Sequence, residues 1–467
     1  MSILAIDQGT TSTRAILFGS GTRRLVHQMR HAQHQPAPAH VEHDPEEILG
    51  HVRDCMERAD GPVEAVALAN QGESCLAWDA VTGRPVTPVL VWQDARTEPD
   101  VERLRSDGAE PLSLERTGLP LDPYFSASKL GWILRSVPEA AELHRAGRLR
   151  LGTTDAFFLQ RLTGRCATDV TTASRTGLMD LSRLQWDEEM CRLHGVPVEA
   201  LPPIVPTTGD FGAVRAGGRE VPLRASVVDQ QAALYGHGCR EAGDAKITFG
   251  TGAFALAVAG SRRPAADGAL PTVAWQRAGE PAVYALDGGV YAASAAVEWA
   301  RGLGIDGAAF EGASAAERGL VFVPALAGLA CPHWDRSARG AWLGLGLDTT
   351  RADMHRAVLE GVALRMGEVI AAMERSIALP GPIPIDGGMS ANAHFVQFLA
   401  DVLGRELVVS DEPELTARGA AELAADDMGV PFELGRGGKL VPPRPLPPGT
   451  AERFGAALDA VRVFARG

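Results

Sequence analysis

The sequence lacks the patterns of secreted and membrane-spanning proteins. It contains no apolar run of 18 residues, and its first residues do not form the charged-then-apolar pattern of a secretory signal. Its six cysteines are scattered, without a CxxC pair or a His/Cys cluster. This spacing argues against a zinc site and a disulfide framework and is typical of a reducing compartment. We therefore expect a cytoplasmic protein without membrane insertion.

The chain also lacks an excess of positive charge, because 58 Asp and Glu outnumber 45 Lys and Arg. The formal net charge is -13 and the chain has no basic run, so nucleic acid and anionic membrane surfaces are poor partners. A phosphorylated ligand would need local positive potential against this overall charge. The length of 467 residues exceeds the ~100–200 residues of one typical domain. We expect two α/β domains, over residues 1–240 and 241–467.

Residues 3–18 read as a strand, a polar turn and a second strand. Gly9 would let the backbone approach an anion, and hydroxyls at Thr10, Thr11 and Ser12 could bind phosphate oxygens. Asp7, at the end of the first strand, could hold Mg²⁺ through water, because this cation prefers carboxylate and phosphate oxygens. From this stretch alone, an ordinary polar hairpin is an equal alternative.

A similar hairpin recurs in the second half of the chain. Residues 246–258 again read as strand, Gly/Thr turn and strand, with Gly250 and Thr251 in the turn. A third turn, with Gly388 in a glycine pair, follows the apolar strand at 383–386, and Asn392 is expected one turn into the next helix. Three such turns favour a nucleotide in a cleft between two related halves, the third allowing a flat adenine to rest on bare backbone. Close helix–strand packing explains the glycine pair equally well.

Transfer of a phosphoryl group to a hydroxyl needs a group that orients the nucleophile or takes its proton. Asp229 is the best candidate, because it lies where an apolar run meets a helix start near the border between the halves. An acid in that position is as often a helix cap.

Several short motifs stand along the chain. They are DQGTTSTR (7–14), VEHDP (41–45), VWQ (91–93), DPYFS (122–126), DQQAAL (229–234), GTG (250–252) and DGG (386–388). Glycerol kinases carry the same motifs in the same order and spacing, and the chain resembles the FGGY carbohydrate kinase family over nearly its whole length. YFSASKLGW (124–132) and the stretch from GAWLGL (340–345) to Glu360 resemble the two family signatures.

The resemblance implies two ribonuclease H-like domains of the actin-like ATPase and sugar kinase superfamily, which close around MgATP and a polyol. Glycerol is the first expected acceptor, a four- or five-carbon polyol or ketose the second, and an actin-like or chaperone-like ATPase switch is the alternative of another class. A homodimer or homotetramer is possible. Asp229 would be the base and Asp7 would support Mg²⁺. The implied polyol contacts are Glu73, Trp92, Tyr124, Asp229, Gln230 and Phe254. The implied nucleotide contacts are Thr10, Thr11, Ser12, Arg14, Gly250, Thr251, Ser294, Gly388, Met389 and Asn392.

The chain departs from the family pattern beside the acceptor. Gly72 stands where glycerol kinases usually have arginine, and Val228 stands where a glycine usually precedes the base. Loss of the arginine predicts either an enlarged pocket for a bulkier substrate or a replacement cation such as Arg96. Ser294 and Met389 also differ from the usual residues on the nucleotide side.

Overall fold

The computed structural model describes residues 2–19, 21–265, 267–307 and 312–466. The strands are β1 (Ser2–Gln8), β2 (Ser12–Gly19), β3 (Thr22–Arg30), β4 (Glu42–His43), β5 (Ala65–Asn70), β6 (Cys75–Asp79), β7 (Val89–Leu90), β8 (Leu149–Thr153), β9 (Thr168–Asp169), β10 (Met179–Asp180), β11 (Gln185–Trp186), β12 (Ile204–Val205), β13 (Ala213–Ala216), β14 (Arg219–Val228), β15 (Ala245–Phe249), β16 (Ala253–Gly260), β17 (Leu270–Trp275), β18 (Val283–Val290), β19 (Val321–Val323), β20 (Ala341–Leu343), β21 (Ile383–Gly387), β22 (Leu407–Ser410) and β23 (Gly438–Val441).

The helices are α1 (Pro45–Glu57), α2 (Glu98–Ser106), α3 (Glu110–Thr117), α4 (Ser126–Ser136), α5 (Pro138–Arg145), α6 (Thr154–Thr163), α7 (Val170–Ala173), α8 (Glu188–His194), α9 (Asp229–Gly236), α10 (Ser294–Gly302), α11 (Arg351–Glu374), α12 (Ala393–Leu403), α13 (Leu415–Asp427) and α14 (Thr450–Arg466), with 3₁₀ turns at Val198–Ala200 and Gly388–Ala391. None of the described helices is long and apolar enough to cross a membrane.

The first sheet is built around the opening hairpin. Its strand order is β13-β14-β5-β1-β2-β3, in which β1 pairs antiparallel with β2 and parallel with β5. Strand β5 is buried along its whole length, as its continuous apolar run predicts. The parallel strands β1, β5 and β14 therefore end at one edge of the sheet, where Asp7, Gln71 and Asp229 follow or close them.

The second sheet repeats this arrangement. Its order is β17-β18-β16-β15-β21-β22-β23, with β15 antiparallel to β16 and parallel to β21. Strands β18-β16-β15-β21-β22 thus correspond to β3-β2-β1-β5-β14. The expectation of two related α/β halves is confirmed.

Helix α9 lies between the sheets, and α13 packs against it. Helix α9 contacts β5 and β14 of the first sheet and β16 and β17 of the second, and α13 packs on α9 and on β1, β5 and β14. The α9–α13 contact is close because it is made at Gly236 and Gly419: a Cβ on Gly419 would lie 1.7 Å from the Ala232 carbonyl oxygen, and one on Gly236 would lie 2.1 Å from that of Leu415. Helix α13 thereby supports the helix that carries Asp229.

The predicted boundary at 240/241 falls between the last strand of the first sheet and the first strand of the second. Helix α13 comes from the second half of the chain yet packs on the first sheet, so the halves exchange contacts across that boundary. The boundary itself stays a prediction.

Side-chain caps mark the starts of some helices. Asp44 caps α1 by accepting hydrogen bonds from the Glu46 and Glu47 amides, as the Asp-Pro-Glu-Glu sequence predicts. Asn392 required correction: it does not lie one turn inside a helix but is the N-cap of α12, where its side-chain oxygen accepts a hydrogen bond from the Phe395 amide.

Candidate active site

A cavity of ≈ 160 Å³ lies where the two sheets face each other. This volume is below the ~300–1,000 Å³ of sites that hold drug-sized ligands, so it fits a small molecule. All six predicted polyol residues line it, together with three of the predicted nucleotide residues. The lining comprises Thr10, Gly72, Glu73, Trp92, Tyr124, Arg175, Val228, Asp229, Gln230, Gln231, Thr248, Gly250, Thr251, Gly252, Phe254, Leu256 and Asp287.

Asp229 is the first residue of α9, directly after β14, so the strand delivers its carboxyl group to the cavity. Its Oδ1 accepts a hydrogen bond of 2.7 Å from the Gln230 amide. Burial, then the nearby charges of Asp7 and Glu73, raise the pKa of Asp229 from 3.8 to about 7. A carboxylate with this pKa can take a proton from a hydroxyl near neutral pH.

The Glu73 carboxyl group is held in place by its backbone and by Arg175. Glu73 has a φ of 56°, which is uncommon for a residue other than glycine and costs conformational energy. The Ser126 hydroxyl donates to the Glu73 carbonyl oxygen, and the Arg175 Nε donates to Glu73 Oε1 at 2.7 Å. Burial raises the pKa of Glu73, and Arg175 opposes that rise. Only 5% of Glu73 is exposed to solvent, but the residue lines the cavity. A ligand inside the cavity can therefore contact Glu73.

Aromatic rings form another part of the wall. The rings of Trp92 and Tyr124 meet edge to face with centroids 5.6 Å apart. Trp92 Nε1 donates to the Thr10 hydroxyl at 2.9 Å, which ties this wall to the turn of the first hairpin. Rings of this kind cover C–H groups and exclude water, while the carboxyl groups of Glu73 and Asp229 suit hydroxyls.

Lys246 fixes the orientation of the Gln230 side chain. The Lys246 ammonium is fully buried and donates to Gln230 Oε1 at 2.6 Å and to the Thr248 hydroxyl at 2.9 Å. Since the amide oxygen is occupied, the amide NH₂ of Gln230 is the group left for a ligand. Gln230 is therefore a donor toward the cavity.

The predicted replacement cation was wrong in its identity. Arg96 donates to Asp94 and to Glu42, lies over the Trp132 ring, and does not line the cavity. The arginine in the cavity wall is Arg175, which sequence reasoning missed. It follows α7 in the Thr-Thr-Ala-Ser-Arg stretch, and its presence there carries no signal of a pocket in the sequence alone.

The two departures at residues 72 and 228 face each other. A Cβ on Gly72 would lie 3.2 Å from Val228 Cγ1, which is tighter than most such contacts. The Val228 side chain thus fills part of the space that Gly72 leaves. The expected enlargement of the pocket is offset on this side.

The first two Gly/Thr turns border the same cavity. In the first, the Gly9 amide donates to the Ser12 carbonyl oxygen at 3.0 Å, and Thr10 lines the cavity while the neighbouring Thr11 is exposed. In the second, Gly250 and Thr251 line it. The Gly250 carbonyl oxygen accepts from the Ser294 amide at 3.2 Å, which places the start of α10 beside this turn.

The third turn adjoins the second, because β21 pairs with β15 and Gly387 is in register with Phe249. Gly387 has a φ of 90°, and a Cβ there would lie 2.2 Å from the Phe249 carbonyl oxygen, so glycine is required. A Cβ on Gly388 would meet no described atom within 4 Å, so its backbone is bare. The Met389 side chain packs in the core of the second half, so any nucleotide contact would fall to its backbone.

Asp7 and Arg14 are paired across the first hairpin. The Arg14 guanidinium forms an ion pair of 3.3 Å with Glu414 at the start of α13. Burial raises the pKa of Asp7 to about 6, with Arg14 lowering it and Glu414 raising it.

The carboxyl groups fit the magnesium ion that accompanies a nucleotide. Asp7 does not line the cavity, but its charge contributes to the raised pKa of Asp229, so the two carboxyl groups are close enough for their negative charges to repel each other. Mg²⁺ commonly uses one or two protein carboxylates and completes its shell with phosphate and water. Among the residues that the structure describes, no group of three His, Cys, Asp or Glu side chains could hold a metal alone. When bound, the ion would neutralise phosphate charge, and Asp7 would hold it.

Two matching sheets, a Gly/Thr turn from each at one cavity, and a carboxyl group with a pKa near 7 define a two-domain phosphotransferase for a small hydroxylated acceptor. The chain matches the models of the FGGY family of carbohydrate kinases in their N-terminal domain over residues 2–236 and in their C-terminal domain over residues 245–427. It belongs to this family and is an ATP-dependent carbohydrate kinase.

Individual relatives agree. A glycerol kinase of Thermus brockianus is 47% identical over 90% of this chain and 88% of its own, and one of Citrifermentans bemidjiense is 42% identical over 92% and 90%. The solved glycerol kinase of Plasmodium falciparum with ADP superposes with a TM-score of 0.89 over 98% of both chains at 28% identity.

Proposed function

We propose that this protein transfers the terminal phosphoryl group of MgATP to a primary hydroxyl of a small polyol, with glycerol as the principal acceptor and glycerol 3-phosphate as the product. The observation that supports the proposal is one cavity lined by the six polyol residues, Asp229 among them, and by a Gly/Thr turn from each half. Donor and acceptor would therefore meet beside a proton acceptor. The glycerol kinases at 42–47% identity support glycerol over other acceptors.

In this mechanism Asp229 orients the acceptor hydroxyl and takes its proton as the oxygen bonds to the phosphorus. The bond from phosphorus to the bridging oxygen of ADP breaks, and ADP leaves with that electron pair. Glu73 accepts hydrogen bonds from the acceptor, and the Gln230 amide donates to it. Trp92, Tyr124 and Phe254 cover its carbon side and keep out the water that would otherwise hydrolyse ATP.

We propose that the nucleotide lies along the three turns. Thr10, Thr251 and their neighbours Thr11, Ser12 and Gly250 would bind phosphate oxygens, and Arg14 would reach the nucleotide from the first hairpin. The bare backbone at Gly388 and Met389, with Asn392 and Ser294 beside it, would take the base and ribose. The first half would then serve mainly the polyol and the second mainly the nucleotide. A cytoplasmic location and a homodimer or homotetramer stay predictions; all six cysteines are free thiols, which suits a reducing compartment.

The test is ADP release with MgATP over glycerol, erythritol, threitol, dihydroxyacetone, xylulose and ribulose. We expect glycerol to give the highest kcat/KM. A four- or five-carbon acceptor that exceeds glycerol would reassign the substrate but keep the kinase. ADP release that no polyol or sugar stimulates would instead support an ATPase switch and would reject the proposal.

A further inference from the structure

Arg175 is a buried cation in the wall of the acceptor cavity. Only 4% of it is exposed. Its Nε donates to Glu73 Oε1 at 2.7 Å, and its Nη2 lies 2.8 Å from Oδ2 of Asp287, which comes from β18 in the second sheet. The guanidinium carbon lies 5.4 Å from the centroid of the Phe125 ring. Two carboxylates and an aromatic face thus hold the guanidinium in one orientation.

One nitrogen of this guanidinium has no hydrogen-bond partner among the described residues. This nitrogen is Nη1, which is buried. A buried donor without a partner is costly, so such a group in a native protein is expected to bind a ligand or water. Because Arg175 lines the acceptor cavity, a bound acceptor can supply that partner.

The chemistry favours a hydroxyl that does not react. A cationic donor bound to the attacking oxygen would withdraw its lone pairs and oppose attack, whereas Asp229 activates that oxygen. Glu73 beside Arg175 can accept a hydrogen bond from the same hydroxyl to which Arg175 donates, so donor and acceptor together read an –OH group. This pair suits a hydroxyl remote from the phosphorylated carbon.

We infer that Arg175 is an acceptor-specificity residue whose Nη1 donates to a non-reacting hydroxyl of the bound polyol, so that the site selects acceptors with a third hydroxyl over diols. This inference rests on the proposed function and adds a residue to it. Arg175 would also supply, from a different part of the chain, the positive charge that the pocket lacks because position 72 is glycine and not arginine.

The experiment is a double-mutant cycle in which one change is made in the protein and the other in the acceptor. Wild type, Arg175→Lys and Arg175→Gln are compared on glycerol, 1,2-propanediol, which lacks one terminal hydroxyl, and 1,3-propanediol, which lacks the central one. In wild type we expect the diol that lacks the contacted hydroxyl to lose about 10- to 100-fold in kcat/KM, the range for a hydrogen bond to a charged group. In Arg175→Gln the preference for glycerol over that diol should fall to within about 3-fold, while KM for MgATP stays within about 2-fold, because the two changes remove one interaction.

Arg96→Lys is the matched control. Arg96 is also buried, held by two carboxylates and placed over an aromatic ring, but it does not line the cavity. We expect the acceptor preference of this variant to equal that of wild type.

Equal losses on glycerol and on both diols in the Arg175 variants would overturn the inference and leave Arg175 a structural residue. If Arg175→Gln does not fold, wild type alone decides: kcat/KM values for glycerol and both diols within about 3-fold of one another would exclude a charged hydrogen bond to any third hydroxyl. If no polyol stimulates ADP release at all, the proposed function fails, and that outcome is distinct from a failure of the cycle.

Discussion

Asp229 is the residue on which the chemistry depends. Its neutral replacement, Asp229→Asn, keeps the size and the hydrogen bond to the Gln230 amide but cannot take a proton. We expect kcat to fall at least ~10²-fold, the low end for a positioned general base. In wild type, kcat/KM for the acceptor should rise with pH and level off above about 7, where Asp229 is ionised.

The same substitution tests stability. The pKa of Asp229 is raised from 3.8 to about 7, so the folded state binds this proton more tightly than the unfolded chain, and wild type loses stability as pH rises from about 4 to 7. Asp229→Asn has no such loss. In thermal unfolding, the Tm of the variant should rise relative to the Tm of wild type between pH 5 and pH 8. A Tm difference that does not change with pH would contradict the raised pKa.

Gly72 and Val228 lie close together in the wall of the acceptor cavity. A side chain at 72 would meet Val228 Cγ1 at 3.2 Å from its Cβ, and an arginine there would bring a second guanidinium toward Arg175. We expect Gly72→Arg to raise the ratio of kcat/KM for glycerol over erythritol only when combined with Val228→Gly. The coupling between the two changes should be about 0.5–3 kcal/mol, as for residues in contact. A single variant that shifts the ratio as much as the double variant would show that the positions are independent.

At this scale the sequence predicted residues that belong to contiguous motifs. Glu73 and Asp229 come after β5 and β14, and parallel strands of one sheet end at a common edge, so the convergence of these two residues could be inferred. Trp92 follows β7 of a separate four-stranded sheet, and only its motif pointed to the site. Arg175 and Asp287 could not be inferred, because neither stands in a motif and their meeting depends on how β18 packs against the first half. The contact between Gly72 and Val228 likewise needed the pairing of β5 with β14.

At the scale of elements, α9 and α13 set the position of Asp229. Their contact tolerates no Cβ at Gly419, which would lie 1.7 Å from the Ala232 carbonyl oxygen. We expect Gly419→Ala to lower stability by about 1–3 kcal/mol or more by overpacking, and to lower kcat as α9 shifts. Denaturant unfolding and steady-state kinetics measure the two effects.

Gly50→Ala, inside α1, is the control. A Cβ there would meet no described atom within 4 Å, so the substitution should stabilise the protein by up to ~1 kcal/mol through helix propensity. A neutral Gly419→Ala would contradict the close contact. The sequence did not predict the partner of α13, because packing of a helix from the second half on the first sheet leaves no local pattern.

At the scale of the whole molecule, an ion pair joins the halves across the cleft. Arg336 of the second half donates to both oxygens of Asp122 in the first, at 3.1 and 2.7 Å, and its guanidinium lies 4.3 Å from the Tyr291 ring centroid. We expect Arg336→Gln to raise KM for the acceptor about 2- to 10-fold, because loss of a bidentate pair favours an open cleft. Arg103→Gln, which breaks an exposed pair with Asp107, should change nothing; equal effects of the two would rule out a role in closure.

The duplication of the hairpin was visible in the sequence, and so was the presence of two sheets. The contacts that join the halves were not, since Asp122 and Arg336 are 214 residues apart and neither lies in a repeated element. The hydrophobic pattern of the sequence predicts each sheet. How the two halves pack together depends on side chains that meet only after folding.

The central claim is that the cavity directs the phosphoryl group of ATP to a polyol and not to water. The most direct measurement is ³¹P NMR of a reaction with MgATP and glycerol. We expect a phosphomonoester resonance that grows in step with ADP in wild type and is nearly absent in Asp229→Asn. Inorganic phosphate in place of the phosphomonoester, at a rate that glycerol does not change, would contradict the claim.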